Sequence, residues 1–211
     1  MIAVFRFPDP LYPIADAGSC ADVVALAEAI LSAGARLLQL RAKGCSTRAV
    51  IDLARAVKAR TDRAGAVLIV NDRADIAQLV DAAGVHLGQD DLPPTAARAM
   101  LGAAKIIGTS THTPQQADAA LRAGAIDYLA YGPIFATHSK ADPDPVQGLD
   151  ALAAVRRRCP LPLVAIGGIT AANARAVRTA GADAVAVIAA IAKADDPAVA
   201  TRQLLAAARS A

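Results

Sequence analysis

The chain has 211 residues with 22 Lys and Arg against 19 Asp and Glu, a formal net charge of +3, 55% hydrophobic and 19% charged positions. That mixture describes a folded globular chain and excludes a disordered tail. So small a charge, with 3% aromatic residues and no Trp, excludes a surface built on phosphate neutralisation and base stacking, so no nucleic-acid partner is expected.

No run approaches the ~18 to 20 apolar residues of a membrane span. The segment Met1 to Tyr12 carries Arg6, Asp9 and two prolines where a signal peptide needs an apolar stretch, so a cytoplasmic location without a membrane partner is expected. Cys20, Cys45 and Cys159 form no Cys-x-x-Cys pair and are read as small buried hydrophobes rather than disulfides or zinc ligands. No linker or low-complexity run divides the chain, which predicts a single domain over residues 1–211.

In chain order, short apolar runs predict strands at Leu11 to Ala15, Arg36 to Leu40, Val67 to Val70, Val85 to Gly88, Lys105 to Gly108, Ile126 to Tyr131, Leu163 to Ile166 and Asp183 to Ile188. Amphipathic patterns predict helices between them, clearest at Ala21 to Leu31, Thr47 to Thr61, Gln115 to Leu121, Leu149 to Arg157, Ala171 to Arg178 and Pro197 to Ala208. A recurring Ala-Gly join, at Ala33-Gly34, Ala83-Gly84, Ala123-Gly124 and Ala180-Gly181, ends a helical pattern just before an apolar run. From Leu11 to Asp183 the eight strand starts are spaced by about 25 residues, enough for a strand, a helix and two short loops. Strands apolar on both faces and alternating with helices predict a parallel sheet covered by helices, and eight of them predict a closed (β/α)8 barrel over an open doubly wound sheet.

The chemistry of such a barrel lies at the C-terminal ends of its strands. Unusual polar groups follow seven of the eight apolar runs; only the last, at Val187 to Ala190, ends apolar. Gln39, Arg41 and Lys43 alternate, so they project from one rail into the mouth, and three donors on one rail call for an anion. Asp72 and Asp91 end neighbouring strands and are candidates for Mg2+, which binds through one or two carboxylates together with substrate phosphates and water. The competing reading is that Asp72 and Asp90 cap the helices that follow. Gly167-Gly168 and the small residues after the eighth strand predict a second phosphate cradle of backbone N–H groups, against a plain pair of turn glycines. His86, His112 and His138 lack metal-ligand spacing, and His86 inside a strand pattern reads as a hydrogen-bonded core residue. Two phosphate sites in one mouth predict transfer between two phosphorylated reactants rather than hydrolysis.

As a set, these motifs resemble the thiamine-phosphate synthase family, over nearly the whole chain from Leu11-Tyr12-Pro13-Ile14-Ala15-Asp16 to Val187-Ile188. They are Gln-x-Arg-x-Lys at Gln39 to Lys43, Asn71-Asp72, His-x-Gly-Gln-x-Asp at His86 to Asp91, Gly-x-Ser-x-His at Gly108 to His112, Gly-Pro-Ile-Phe-x-Thr-x-Ser-Lys at Gly132 to Lys140, and Ile-Gly-Gly-Ile at Ile166 to Ile169. The resemblance implies a Mg2+-dependent (β/α)8 transferase that joins 4-amino-2-methyl-5-hydroxymethylpyrimidine diphosphate to a thiazole phosphate. It implies that Gln39, Arg41, Lys43, Asn71, Ser110 and Lys140 hold the pyrimidine diphosphate and that Asp72 and Asp91 bind Mg2+. It further implies that Thr137, Ser139, Gly168, Ile188 and Ala189 hold the thiazole phosphate and that Arg41, Lys43, Ser110 and Lys140 carry the catalysis. The implied chemistry is dissociative, with pyrophosphate leaving before the thiazole nitrogen attacks a pyrimidine-stabilised cation.

The sequence departs from the family pattern in three places: Ala136 where the family usually has Pro, with Ser139 for Thr; Ala189 where it usually has Ser; and Pro13 within the first strand pattern. The alternatives are a thiazole tautomerase-like isomerase on the same barrel and a non-catalytic protein that binds a thiamine precursor. The loop from Gly132 to Gly148 exceeds the usual βα connection and predicts a mobile cover carrying Lys140.

Overall fold

Eight parallel strands close on themselves in chain order. The computed structural model describes residues 5–137 and 144–210. The strands are β1 (Leu11–Asp16), β2 (Leu37–Arg41), β3 (Val67–Asn71), β4 (Gly84–Leu87), β5 (Ile106–Thr111), β6 (Tyr128–Tyr131), β7 (Leu163–Ile166) and β8 (Ala184–Val187). The helices are α1 (Val23–Ser32), α2 (Thr47–Ala64), α3 (Ala74–Leu79), α4 (Pro94–Leu101), α5 (Pro114–Ala123), α6 (Gly148–Arg156), α7 (Ala174–Thr179), α8 (Ala189–Ala192) and α9 (Pro197–Arg209). This is the (β/α)8 barrel that the spacing predicts.

Local chemistry marks several boundaries. The Asp22 side chain caps α1 and Asp196 caps α9, each accepting two backbone N–H bonds, while Gly65 ends α2 in the left-handed conformation that releases its last turn. The sequence-based reading has helices after β3 and β4 but none as clear as the other six, and α8 is absent from it, for want of an apolar stripe. The short α3 and α8 have no room to repeat the period, and α4 buries only Ala97. β5 runs three residues beyond its predicted end because its polar tip is satisfied in place. The buried Thr109 and Thr111 hydroxyls donate to the Leu87 and Ala130 carbonyls. Pro13 lies inside β1, where pairing passes from β8 (Leu11 to Pro13) to β2 (Ile14 to Asp16), so the strand absorbs its missing N–H.

Two apolar layers hold the barrel. The outer one joins strands to helices, for instance Leu38, Leu40 and Leu68 with Leu26, Ile30 and Val57. The inner one comprises Tyr12, Ile14, Leu37, Ile69, Tyr128, Ala130, Val164, Ala184 and Ala186, closed below by Phe5 and Phe7 against the two tyrosine rings. Above this filled floor, the interior holds a cavity at the strands' C-terminal ends. Cys159 is buried and half-buried Cys20 packs against the core, as expected, while Cys45 departs from the expectation, exposed on the loop before α2.

Candidate active site

A cavity of about 490 Å3 occupies the C-terminal mouth. Along one wall stand Gln39, Arg41, Asn71 and Ser110 from β2, β3 and β5, and along the other Thr137, Gly168, Ile188 and Ala189. Eight sequence-predicted residues therefore share one space. Lys43, Asp72 and Asp91 are not in its lining; Lys43 Nζ lies 3.2 Å from Asp72 Oδ2. Ser139 and Lys140, with residues 138–143 generally, lie outside the described residues.

The rail is partly engaged within the protein. Gln39 Nε2 donates to the Tyr12 hydroxyl at 2.9 Å, and Arg41 Nη1 donates to the buried Asp16 carboxylate at 2.8 Å. Asp16 also accepts from Ser19 Oγ at 2.6 Å, so its carboxylate anchors Arg41 in one orientation while the remaining guanidinium nitrogens stay available. The sequence marks Asp16 as the polar end of the first strand but not its role, which depends on the β1–β2 register that places it directly beside Arg41.

Asp72 caps no helix. The residue preceding α3 is Arg73, which makes no side-chain cap, and the exposed Asp90 is likewise not the cap of α4, which Pro93 precedes. Asp72 instead adopts a left-handed backbone (φ 64°) and donates its N–H to the His86 carbonyl at 2.7 Å. Asp91 Oδ2 accepts the Gly88 N–H at 2.7 Å, which fixes that carboxylate on the loop after β4. Burial, then the hydrogen bond and charge of Asp91, push the Asp72 carboxyl up to about 6 against the opposing pull of Lys43. A carboxyl whose proton affinity is raised by a second carboxylate beside it is a fitting place for a divalent cation. Among the described residues no third His, Cys, Asp or Glu joins them, which suits Mg2+ completing its shell with phosphate and water.

Gly167 and Gly168 have positive φ values of 101° and 63°. A Cβ on Gly167 would collide with Pro133, and one on Gly168 with Phe135 and the Ala136 carbonyl. The pair is therefore required for packing as well as for any phosphate, since it lets the β6–α6 loop lie on the end of β7. Ile134 and Phe135 donate N–H bonds to the Ile166 and Gly167 carbonyls, and Gln147 and Gly148 bond back to Pro133 and Ile134. The loop's two flanks are thus fixed, and the part of the predicted cover that carries Lys140 falls outside the described residues. At β8, Ile188 gives α8 no side-chain cap, and Ile188, Ala189 and Ala190 at its start line the cavity. Lys193, just past α8, also lines the cavity; sequence reading missed it by ending at the apolar tip of β8.

The family model described as thiamine monophosphate synthase matches residues 11–191, the span that holds every strand and both walls of this mouth. The chain belongs to that family. It is 48% identical to the thiamine-phosphate synthase of Chloroflexus aurantiacus over 196 residues, covering 92% of this chain and 90% of the relative. It is 50% identical to that of Koribacter versatilis over 185 residues, covering 85% and 87%. Among solved structures, the thiamine phosphate pyrophosphorylase of Pyrococcus furiosus superposes with a TM-score of 0.88 at 34% identity, covering 97% of this chain and 98% of that one. The barrel is thus an enzyme of the thiamine monophosphate synthase family.

Proposed function

We propose that the chain joins 4-amino-2-methyl-5-hydroxymethylpyrimidine diphosphate to a thiazole phosphate and releases thiamine phosphate and pyrophosphate. The observation that carries this reading is one cavity with two unlike walls, a cationic and polar rail at Gln39, Arg41, Asn71 and Ser110 facing a backbone cradle at Gly168, Ile188 and Ala189. The rail suits the diphosphate ester and the cradle a second phosphate, so the two reactants meet between them. Ala189 offers its N–H without the hydroxyl that the family usually supplies, and Lys193 brings a positive charge to the same end of the cavity.

In the reaction the methylene C–O bond to the diphosphate breaks and its electron pair departs with pyrophosphate. The pyrimidine stabilises the resulting cation, and the thiazole nitrogen lone pair forms the new C–N bond. Arg41, held by Asp16, together with Lys43 and Lys140, stabilises the charge that develops on the leaving group, the kind of preorganised electrostatic help that dominates such steps. Asp72 and Asp91 would hold Mg2+, which would supply positive charge to the departing diphosphate. Thr137 and Ser139 hold the thiazole phosphate from the β6–α6 loop. No strong general base is needed, because the nucleophile is a neutral nitrogen. Among the described residues no helix is long and apolar enough to cross a membrane, and a cytoplasmic location is part of this proposal.

The deciding experiment measures pyrophosphate release with both substrates and Mg2+. Release that requires both supports the transferase; thiazole isomerisation without pyrophosphate would indicate a tautomerase, and binding without turnover a non-catalytic ligand-binding barrel.

A further inference from the structure

Below the mouth, five side chains from five strands form one unbroken hydrogen-bond chain. Gln39 Nε2 donates to the Tyr12 hydroxyl at 2.9 Å, the Tyr12 and Tyr128 hydroxyls are 2.8 Å apart, Tyr128 Oη lies 2.9 Å from His86 Nδ1, and His86 Nε2 lies 2.9 Å from Ser110 Oγ. The register explains how β6 reaches β4. His86, Gly108 and Tyr128 are paired side by side across β4, β5 and β6, and a Cβ on Gly108 would collide with the Tyr128 ring. The missing side chain of β5 lets Tyr128 lie across it and stack on His86, with centroids 5.6 Å apart at 20°.

With the Gln39 amide nitrogen toward Tyr12, one order of donors satisfies this chain. Tyr12 and Tyr128 are 1% and 0% exposed, so their hydroxyl protons need partners inside the protein. The Gln39 amide nitrogen can only donate, so the Tyr12 oxygen accepts there. Among the described residues the Tyr12 proton then has one acceptor, the Tyr128 oxygen, and the Tyr128 proton has one, His86 Nδ1. A neutral ring that accepts at Nδ1 carries its proton on Nε2 and donates to Ser110 Oγ. The reverse order would leave the buried Tyr12 proton without an acceptor. Ser110 consequently has its own proton left for the cavity, and the Gln39 amide has its Oε1.

We propose that Tyr12 and Tyr128 are positioning residues that lock His86 in the Nε2–H tautomer, and so present Ser110 as a hydrogen-bond donor and Gln39 as an acceptor to the cavity they both line. That pattern selects a heterocycle bearing an amine to donate and a ring nitrogen to accept, and the aminopyrimidine has both. The tautomer rests on this geometry together with the orientation of the Gln39 amide; the matched heterocycle rests on the pyrimidine diphosphate reading above.

Nitrogen-15 NMR of histidine-labelled protein tests the lock directly, since the two ring nitrogens report separately whether each carries a proton and His86 is one of three histidines. The neutral wild-type protein should show His86 with a bare Nδ1. Tyr12→Phe should leave that signature in place, because Tyr128 still donates to His86, while Tyr128→Phe should lose it. Kinetically, Tyr128→Phe should lower kcat/KM for the pyrimidine diphosphate by roughly ten- to a hundredfold, the scale of a small misplacement at the reacting centre, and leave KM for the thiazole phosphate unchanged. In a Ser110→Ala background the same substitution should add less than about twofold, because its effect runs through Ser110. A proton on Nδ1 in the wild type, or an undiminished effect of Tyr128→Phe without Ser110, would overturn the proposal. Failure of the wild type to release pyrophosphate would strike the pyrimidine reading instead and leave the tautomer to judge the lock.

Discussion

Asp72 concentrates much of the site's electrostatics in one residue. Its left-handed backbone is costly for a side chain with a Cβ, and Asp tolerates it better than most. The strain is matched by what it places, a carboxylate between Lys43 and Asp91. Because burial and Asp91 raise its folded pKa to about 6 from the ordinary 3.8, the sign of its linkage is opposite to that of a salt-bridged Asp. The metal-free fold gains stability from this group as pH falls through 6, since the folded state then holds the proton more tightly than the unfolded chain. Mg2+ needs the anion, so its binding should release a proton below pH 6 and weaken as pH falls. Thermal denaturation with and without Mg2+ checks this. The Mg2+-induced rise in Tm should be larger well above pH 6 than below it, and Asp91→Asn should abolish most of that rise while stabilising the metal-free protein by relieving the like charge. An equal rise on both sides of pH 6 would show that Asp72 is not a metal ligand.

At the scale of elements, much is legible in the sequence because parallel strands must be apolar on both faces. All eight appear as runs, and the alternation of Gln39 and Arg41 correctly places both in the mouth. What is not legible depends on register. That Asp16 meets Arg41, or that Tyr12 accepts from Gln39 and reaches Tyr128 across 116 residues of sequence, follows only once neighbouring strands are aligned. Sequence alone leaves the capping alternative for Asp72 standing beside the favoured metal reading, because a carboxylate before a helix looks the same whether it turns to the helix or away from it. Gly167-Gly168 shows the same ambiguity: the pair reads as turn or cradle, and its packing against the β6–α6 loop appears only in three dimensions. Gly168→Ala would combine a left-handed non-glycine residue with a collision against Phe135 and the Ala136 carbonyl, a strain of about 1–3 kcal/mol. The loop relieves it by lifting off β7, which carries Thr137 away from the cradle. The variant should therefore raise KM for the thiazole phosphate more than for the pyrimidine diphosphate. Equal effects on the two would mean that the loop does not set the phosphate subsite.

The whole barrel has to be closed at its base as well as open at its mouth, and a single carboxylate ties three distant parts of the chain together there. Asp9, 3% exposed, precedes β1, accepts the Arg36 N–H at the entry to β2 at 2.9 Å, and pairs with Arg209 Nη2 at the end of α9 at 3.0 Å. The Arg36 and Arg209 guanidinium groups are largely exposed, so their ion pairs with Asp9 are screened and contribute little. The buried N–H bond matters more, because truncating the carboxylate strands a donor that has no water to replace it. Asp9→Ala should accordingly cost about 1.5–3 kcal/mol, the range for a hydrogen bond to a charged group, and lower Tm by about 2–4 °C per kcal/mol in a domain of this size. Arg209→Ala should cost well under half as much, since it removes only the screened pair. Both variants should keep kcat and both KM values once folded, because base and mouth are separated by the filled interior of Phe5, Phe7, Tyr12 and Tyr128. Calorimetry and steady-state kinetics on the same preparations provide the check. If Arg209→Ala cost as much as Asp9→Ala, the ion pair with α9 rather than the backbone bond to β2 would be what closes the base.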